Sequence, residues 1–144
     1  MDLVSLFHVA ATLGMTGIIW FVQLVHYPSF ALIERSRFAA FERRHARMTT
    51  LVVGPLMLVE FVTAAALLVA APDGIDAWMP RAGALVLVVI WWSTWLVQVP
   101  CHARLERGFD AAAHRRLVRS NWIRTAGWSG RAALALAMAA SAGS

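Results

Sequence analysis

With 144 residues, of which 60% are hydrophobic and only 15% charged, the chain is far poorer in charge than a soluble domain, where about a quarter of residues are charged. All thirteen basic residues are Arg, and the resulting net charge of +5 invites a nucleic-acid reading. The apolar composition argues against that partner and places the chain in a bilayer.

Four apolar segments follow one another: about Leu3 to Tyr27, Met48 to Ala71, Arg81 to Val99 and Asn121 to Ala140. Each is near the roughly 20 residues that cross about 30 Å of hydrocarbon, so all four are expected to span. The first has no basic region before it and is longer than a signal-peptide core, so it is expected to be retained. Arginine-rich amphipathic stretches, Ser29 to His45 and Cys101 to Ser120, link the first pair and the last pair. The middle connection, Pro72 to Pro80, is a short acidic turn in which Trp78 suits an interfacial anchor, and Trp122 suits another. Arg35, Arg37, Arg43, Arg44 and Arg47 fall in or beside the first linker, and Arg104, Arg107, Arg115, Arg116 and Arg119 in the second. The positive-inside rule then puts both termini outside.

A shift of 72 residues aligns Trp20 with Trp92, Pro28 with Pro100, Glu34 with Glu106, Arg35 with Arg107, Arg43 with Arg115, Arg44 with Arg116 and Arg47 with Arg119. A fixed period of this kind reports a duplicated unit. The expected fold is therefore all-α: one transmembrane domain, a four-helix bundle of two parallel-repeat hairpins (about 1–72 and 73–144). Amphipathic cytoplasmic linker helices and a shared axial space complete it.

Every span carries one polar face. His8, Thr12, Thr16, Gln23 and His26 are spaced by 4, 4, 7 and 3 along the first. Glu42, His45, Thr49, Glu60 and Thr63 share a face of the second if the linker helix runs into the span, which Gly54-Pro55 should kink. The third offers Trp91, Thr94, Gln98 and His102, and the fourth Asn121, Arg124, Trp128 and Arg131.

Glu60 and Arg131 are the two deep charges, and the repeat shift carries Glu60 to the neighbour of Arg131. A charge in hydrocarbon costs on the order of 3 kcal/mol and seeks a partner. An ion pair is expected, with a structural role or, functionally, with Arg131 clamping an anion or carbonyl and Glu60 accepting a proton. His8 and His26 lie roughly 27 Å apart along the first helix and cannot serve one site. His26 instead joins His45, His102 and His114, with Glu42 nearby, as a candidate metal group, His26, His45 and His102 being its ligands. Trp91 and Trp128 lie on polar faces and are candidate walls of a pocket. The single cysteine, Cys101, is expected to be a small apolar residue.

Phe7-His8-Val9-Ala10 followed by Gly17, Trp20 and His26-Tyr27-Pro28 looks like the first helix of a group of small bacterial four-helix integral membrane proteins. Phe41 to Arg47, Gly54 to Glu60 and Asn121 to Thr125 resemble one family of that group across nearly the whole chain, a likeness that implies a fold and little chemistry. More distantly the chain is similar to anthrone oxygenase-like proteins, copper-resistance-type membrane domains and membrane-bound protoporphyrinogen oxidases. A first-helix histidine is associated with haem in the last of these, and His8 stands at its place.

The leading functional expectation is a membrane oxidoreductase or oxygenase-type protein that binds a lipophilic substrate or haem in the axial space. Glu60 and Arg131 would set the electrostatics, and Gln23, His26, Gln98, Asn121 and Arg124 would line the cytoplasmic mouth. A solute or proton-coupled carrier and an accessory subunit are the alternatives, and the small size favours a homodimer.

Overall fold

In a computed structural model, which describes residues 2–142, the chain forms four long helices and, among those residues, no strand. We label them α1 (Leu3–Leu32), α2 (Arg35–Val69), α3 (Trp78–Leu105) and α4 (Ala111–Ser141). The Asp2 carboxylate caps α1 by accepting from the Ser5 amide at 2.7 Å. Asp110 caps α4 by accepting from Ala112 and Ala113, at 2.9 and 2.8 Å. Between α2 and α3 the chain turns at Gly74, whose φ of +85° suits glycine, and a side chain there would press on the Ser141 carbonyl at the end of α4.

The amide of Ala113, with help from the Arg104 guanidinium, holds the Asp110 carboxyl below the ordinary aspartate range. A lowered folded-state value means that the cap is in full force above the unfolded aspartate value and is lost as pH falls through the folded one. Asp110→Ala is expected to speed hydrogen exchange at the Ala112 and Ala113 amides at neutral pH. In the wild type the same amides lose protection, relative to mid-helix amides, only in acid. Equal protection in the variant and the wild type would remove the cap from the account.

α1, α2 and α3 are each long and apolar enough to cross a membrane. α4 has the length, at 31 residues, but Asn121, Arg124 and Arg131 dilute its apolar run. The linkers are not separate helices. The first break falls at Ile33-Glu34, so residues 35–47 are the start of α2, which runs unbroken through Gly54 and Pro55 to Val69. The second break falls at Glu106–Asp110, so Cys101 to Leu105 belong to α3 and Ala111 to Ser120 to α4.

Within α1 and α3 the ladder widens into five-residue π-helical segments, Val22–His26 and Thr94–Gln98. Tyr27 and Val99 donate to the carbonyls five residues back, Val22 and Thr94. Prolines follow at once, at Pro28 and Pro100. A proline inside a regular helix clashes with the carbonyl four residues earlier, and a wider turn relieves that clash.

Around the bundle the order is α1, α2, α3, α4: α1 packs on α2 and α4, α3 packs closely on α4, and α2 meets α3 more loosely. Gly127 lets α4 approach α3, since a Cβ there would fall 2.8 Å from Ile90 Cγ1. The axial space is not an open pocket. Met15, Ile19, Phe30, Ile90, Leu117 and Trp128 fill it and are essentially inaccessible. The outward faces are apolar instead, with Leu6, Phe21, Leu24, Leu58, Phe61 and Trp92 among the exposed side chains.

Candidate functional site

The polar faces meet in three layers. Nearest the termini, Glu60 and Arg131 form the ion pair that their depth predicts, Arg131 Nε donating to Glu60 Oε1 at 2.9 Å with side chains 0% and 1% exposed. Thr12 donates to the same oxygen at 3.0 Å, and the Trp128 indole donates to Oε2 at 2.9 Å. Arg131 also donates to the Gly83 carbonyl of α3. His8 Nδ1 lies 2.9 Å from the Thr63 hydroxyl, which also reaches the Val59 carbonyl of its own helix at 2.8 Å. Trp128 is thus a ligand of the carboxylate and not the wall of a pocket. Each Glu60 carboxylate oxygen has a donor, while the buried Arg131 Nη2 has no acceptor among the described residues.

The middle layer is also buried, and in it Gln98 Oε1 and Arg124 Nε have no hydrogen-bond partner among the described residues. Asn121 Nδ2 donates to Gln23 Oε1 at 2.9 Å, Arg124 donates to Asn121 Oδ1 at 3.1 Å, and Gln98 donates to Ser120 at 2.9 Å. Gln23, Gln98, Asn121 and Arg124 are all buried, so they plug the bundle where an open mouth was expected. No carboxylate pairs with Arg124 among the described residues, and its guanidinium lies 5.3 Å from the Trp128 ring centre.

At the arginine-rich end the histidines gather. His26 Nε2 and His45 Nδ1 share a hydrogen bond of 2.8 Å, and Thr49 Oγ1 lies 3.1 Å from the same His45 nitrogen. Behind them the His102 ring stands 5.5 Å from that of His45, centre to centre. His102 is held between the Glu42 carboxylate, on Nδ1, and the Tyr27 hydroxyl, 3.0 Å from Nε2. A carboxylate on one nitrogen and a hydroxyl on the other hold the ring in place, the arrangement of a triad. His114 leaves this group and donates to the Tyr27 carbonyl at 2.8 Å, while Asp110 pairs with Arg104. Tyr27, the one tyrosine of the chain, was not singled out by its sequence context, because it sits beside the polar stripe of α1 and not on it.

His26 and His45 are the polar floor of a groove of about 420 Å³ between α1 and α2. Phe21, Val22, Phe41, Met48 and Val52 form its apolar walls, and Arg44 stands at its lip. A second groove, about 280 Å³, lies between α2 and α3 and is lined by Phe61, Leu68, Trp91, Trp92 and Trp95. Trp91 therefore faces the bundle's flank and not its axis. Cys101 is buried and unpaired.

The residues do not fit a haem or a metal centre. His8 is 4% exposed, enclosed by the packing of α1 on α2, and lines neither groove. Among the described residues no three or more His, Cys, Asp or Glu side chains converge as a metal cage. The nitrogens of His26 and His45 point at each other, and His102 is turned to Tyr27 and Glu42.

Comparison with protein-family models, with curated proteins and with solved structures finds no match to the chain.

Proposed function

We propose that the chain is an integral membrane protein of oxidoreductase or oxygenase type that takes a lipophilic small molecule from the bilayer into the α1–α2 groove and removes a proton from it. The observation that carries this reading is the His26–His45 pair at 2.8 Å in a groove walled mainly by apolar side chains, with Arg44 and Thr49 beside the pair. A neutral imidazole is a proton acceptor, and its neighbour shares the resulting charge. Phenolic or enolic O–H groups are the natural donors. In the full reaction a hydroquinone gives two protons and two electrons to dioxygen, forming quinone and hydrogen peroxide. His45 takes the first proton. Glu60 and Arg131 hold the helices in register and stand outside the reaction.

Three features support membrane insertion. Three helices have spanning length and apolarity, large apolar side chains cover the outside, and α4 presents its deep charges only inward, so it spans as a partner of the other three. The arginines at one end support an orientation with that end in the cytoplasm and both termini outside, in a bacterial inner membrane. A twofold arrangement of parallel hairpins is supported by the residue matches at a shift of 72 and by π-helical segments that obey the same shift.

The test is oxygen uptake by protein in nanodiscs offered a panel of lipophilic hydroquinones and phenols. Turnover is expected, and Val52→Trp, which fills the groove from a lipid-exposed position, is expected to lower it by about tenfold or more, a loss of roughly 1–3 kcal/mol of binding. Absence of turnover across the panel, or indifference to the plug, would sink the reading. A carrier is the second reading, favoured by the polar side chains that succeed one another from His8 to His26. Proton-coupled flux in liposomes without oxygen uptake would establish it.

A further inference from the structure

Where α4 leaves the arginine-rich end, two adjoining recesses share Ala112 and Arg116. One, about 530 Å³, is lined by Ala112, Arg115, Arg116, Arg119 and Ser120. The other, about 340 Å³, adds Pro100, Cys101 and Arg104 of α3. No carboxylate lines either recess. Asp110, the nearest acid along the chain, is committed to Arg104 and to the cap of α4. Arg115, Arg116 and Arg119 make no ion pair among the described residues. Arginines left unpaired beside one another repel, and the group that relieves them is a multivalent oxyanion held by bidentate hydrogen bonds.

The surroundings say what else that anion carries. One turn deeper along α3 and α4, Leu96 and Ile123 are exposed, with Trp92 and Trp122 beyond and beside them. On α4, Ile123 lies four residues from Arg119 and seven from Arg116, so it continues the same face. The surface is thus basic at the head and apolar along the tail.

We propose that these recesses form a specific site for an anionic phospholipid, with its phosphate on Arg115, Arg116 and Arg119 and its acyl chains along Leu96 and Ile123. The proposal rests on the reading that the chain lies in a bilayer and is independent of the chemistry assigned to the α1–α2 groove. Failure here leaves the oxygen-uptake result untouched.

The experiment titrates phosphatidylglycerol into the purified full-length protein in nonionic detergent and follows bound lipid by native mass spectrometry. Arg115→Gln/Arg116→Gln/Arg119→Gln is compared with the charge-matched Arg37→Gln/Arg44→Gln/Arg47→Gln. Both sets are on the surface, and monodisperse elution checks that each variant folds. The first triple is expected to weaken binding about a hundredfold and the second only a few-fold, given the strength of single arginine contacts at an anionic surface. Equal losses in the two triples would overturn the site in favour of diffuse attraction. Equal binding of phosphatidylcholine would overturn the role of charge. Displacement of the lipid by millimolar inorganic phosphate would overturn the lipid as occupant and leave a free anion.

Discussion

Glu60→Ala is expected to cost about 3–5 kcal/mol of stability, because it strands the Arg131 guanidinium in the bundle interior without a counter-charge. The loss also removes acceptors from Thr12 and from the Trp128 indole, each of which then lies buried with a hydrogen to place. Unfolding in mixed micelles measures it, and the yield of monodisperse protein gives the same answer where the variant is too unstable to titrate. Glu60→Leu combined with Arg131→Met should recover much of the loss, since removing both charges abolishes the uncompensated one. Recovery stays partial while Thr12 and Trp128 lack acceptors. If Glu60→Ala costs less than about 1 kcal/mol, the Gly83 carbonyl suffices for Arg131 and the pair is not what holds α2 against α4.

His45→Ala is expected to lower turnover of the best substrate in the hydroquinone panel by about 10²–10⁴-fold, the range spanned by loss of a positioned general base. KM should move little, because the walls of the groove are other side chains. The fold should survive, since His45 is only half-buried and its loss leaves the Glu42–His102–Tyr27 unit in place. A large drop in kcat with unchanged KM identifies chemistry. A rise in KM alone would make His45 a wall of the groove, and unchanged kinetics would remove it from the site.

How legible this was depended on residue type. Glu60 and Arg131 could be paired from sequence because ionised groups in apolar runs are rare and each must find a partner at its own depth. The four helices were legible as well, from apolar length and from the breakers of the Pro72 to Pro80 turn. Pocket walls were not, because a polar face tells which side points inward and not whether the inside is hollow. Trp128 points inward and is consumed by Glu60, whereas Trp91 opens on the flank. Tyr27 escaped because its partner, His102, lies 75 residues away and no period links them. The ends of α2 and α4 were misjudged because arginine-rich stretches look like separate surface helices, while nothing in them breaks the helical ladder.

Each π-helical segment is, in effect, an α-helix with one residue to spare. A single surplus residue turns everything after it by about 100° relative to a regular helix of the same start. The orientations of Tyr27 and His102 towards one another are thus set by two such offsets, one upstream of each. Trimming either segment by one residue would leave composition, charge and hydropathy almost unchanged and still swing one partner away from the other. The information that assembles this cluster therefore resides as much in the count of residues before it as in their identity.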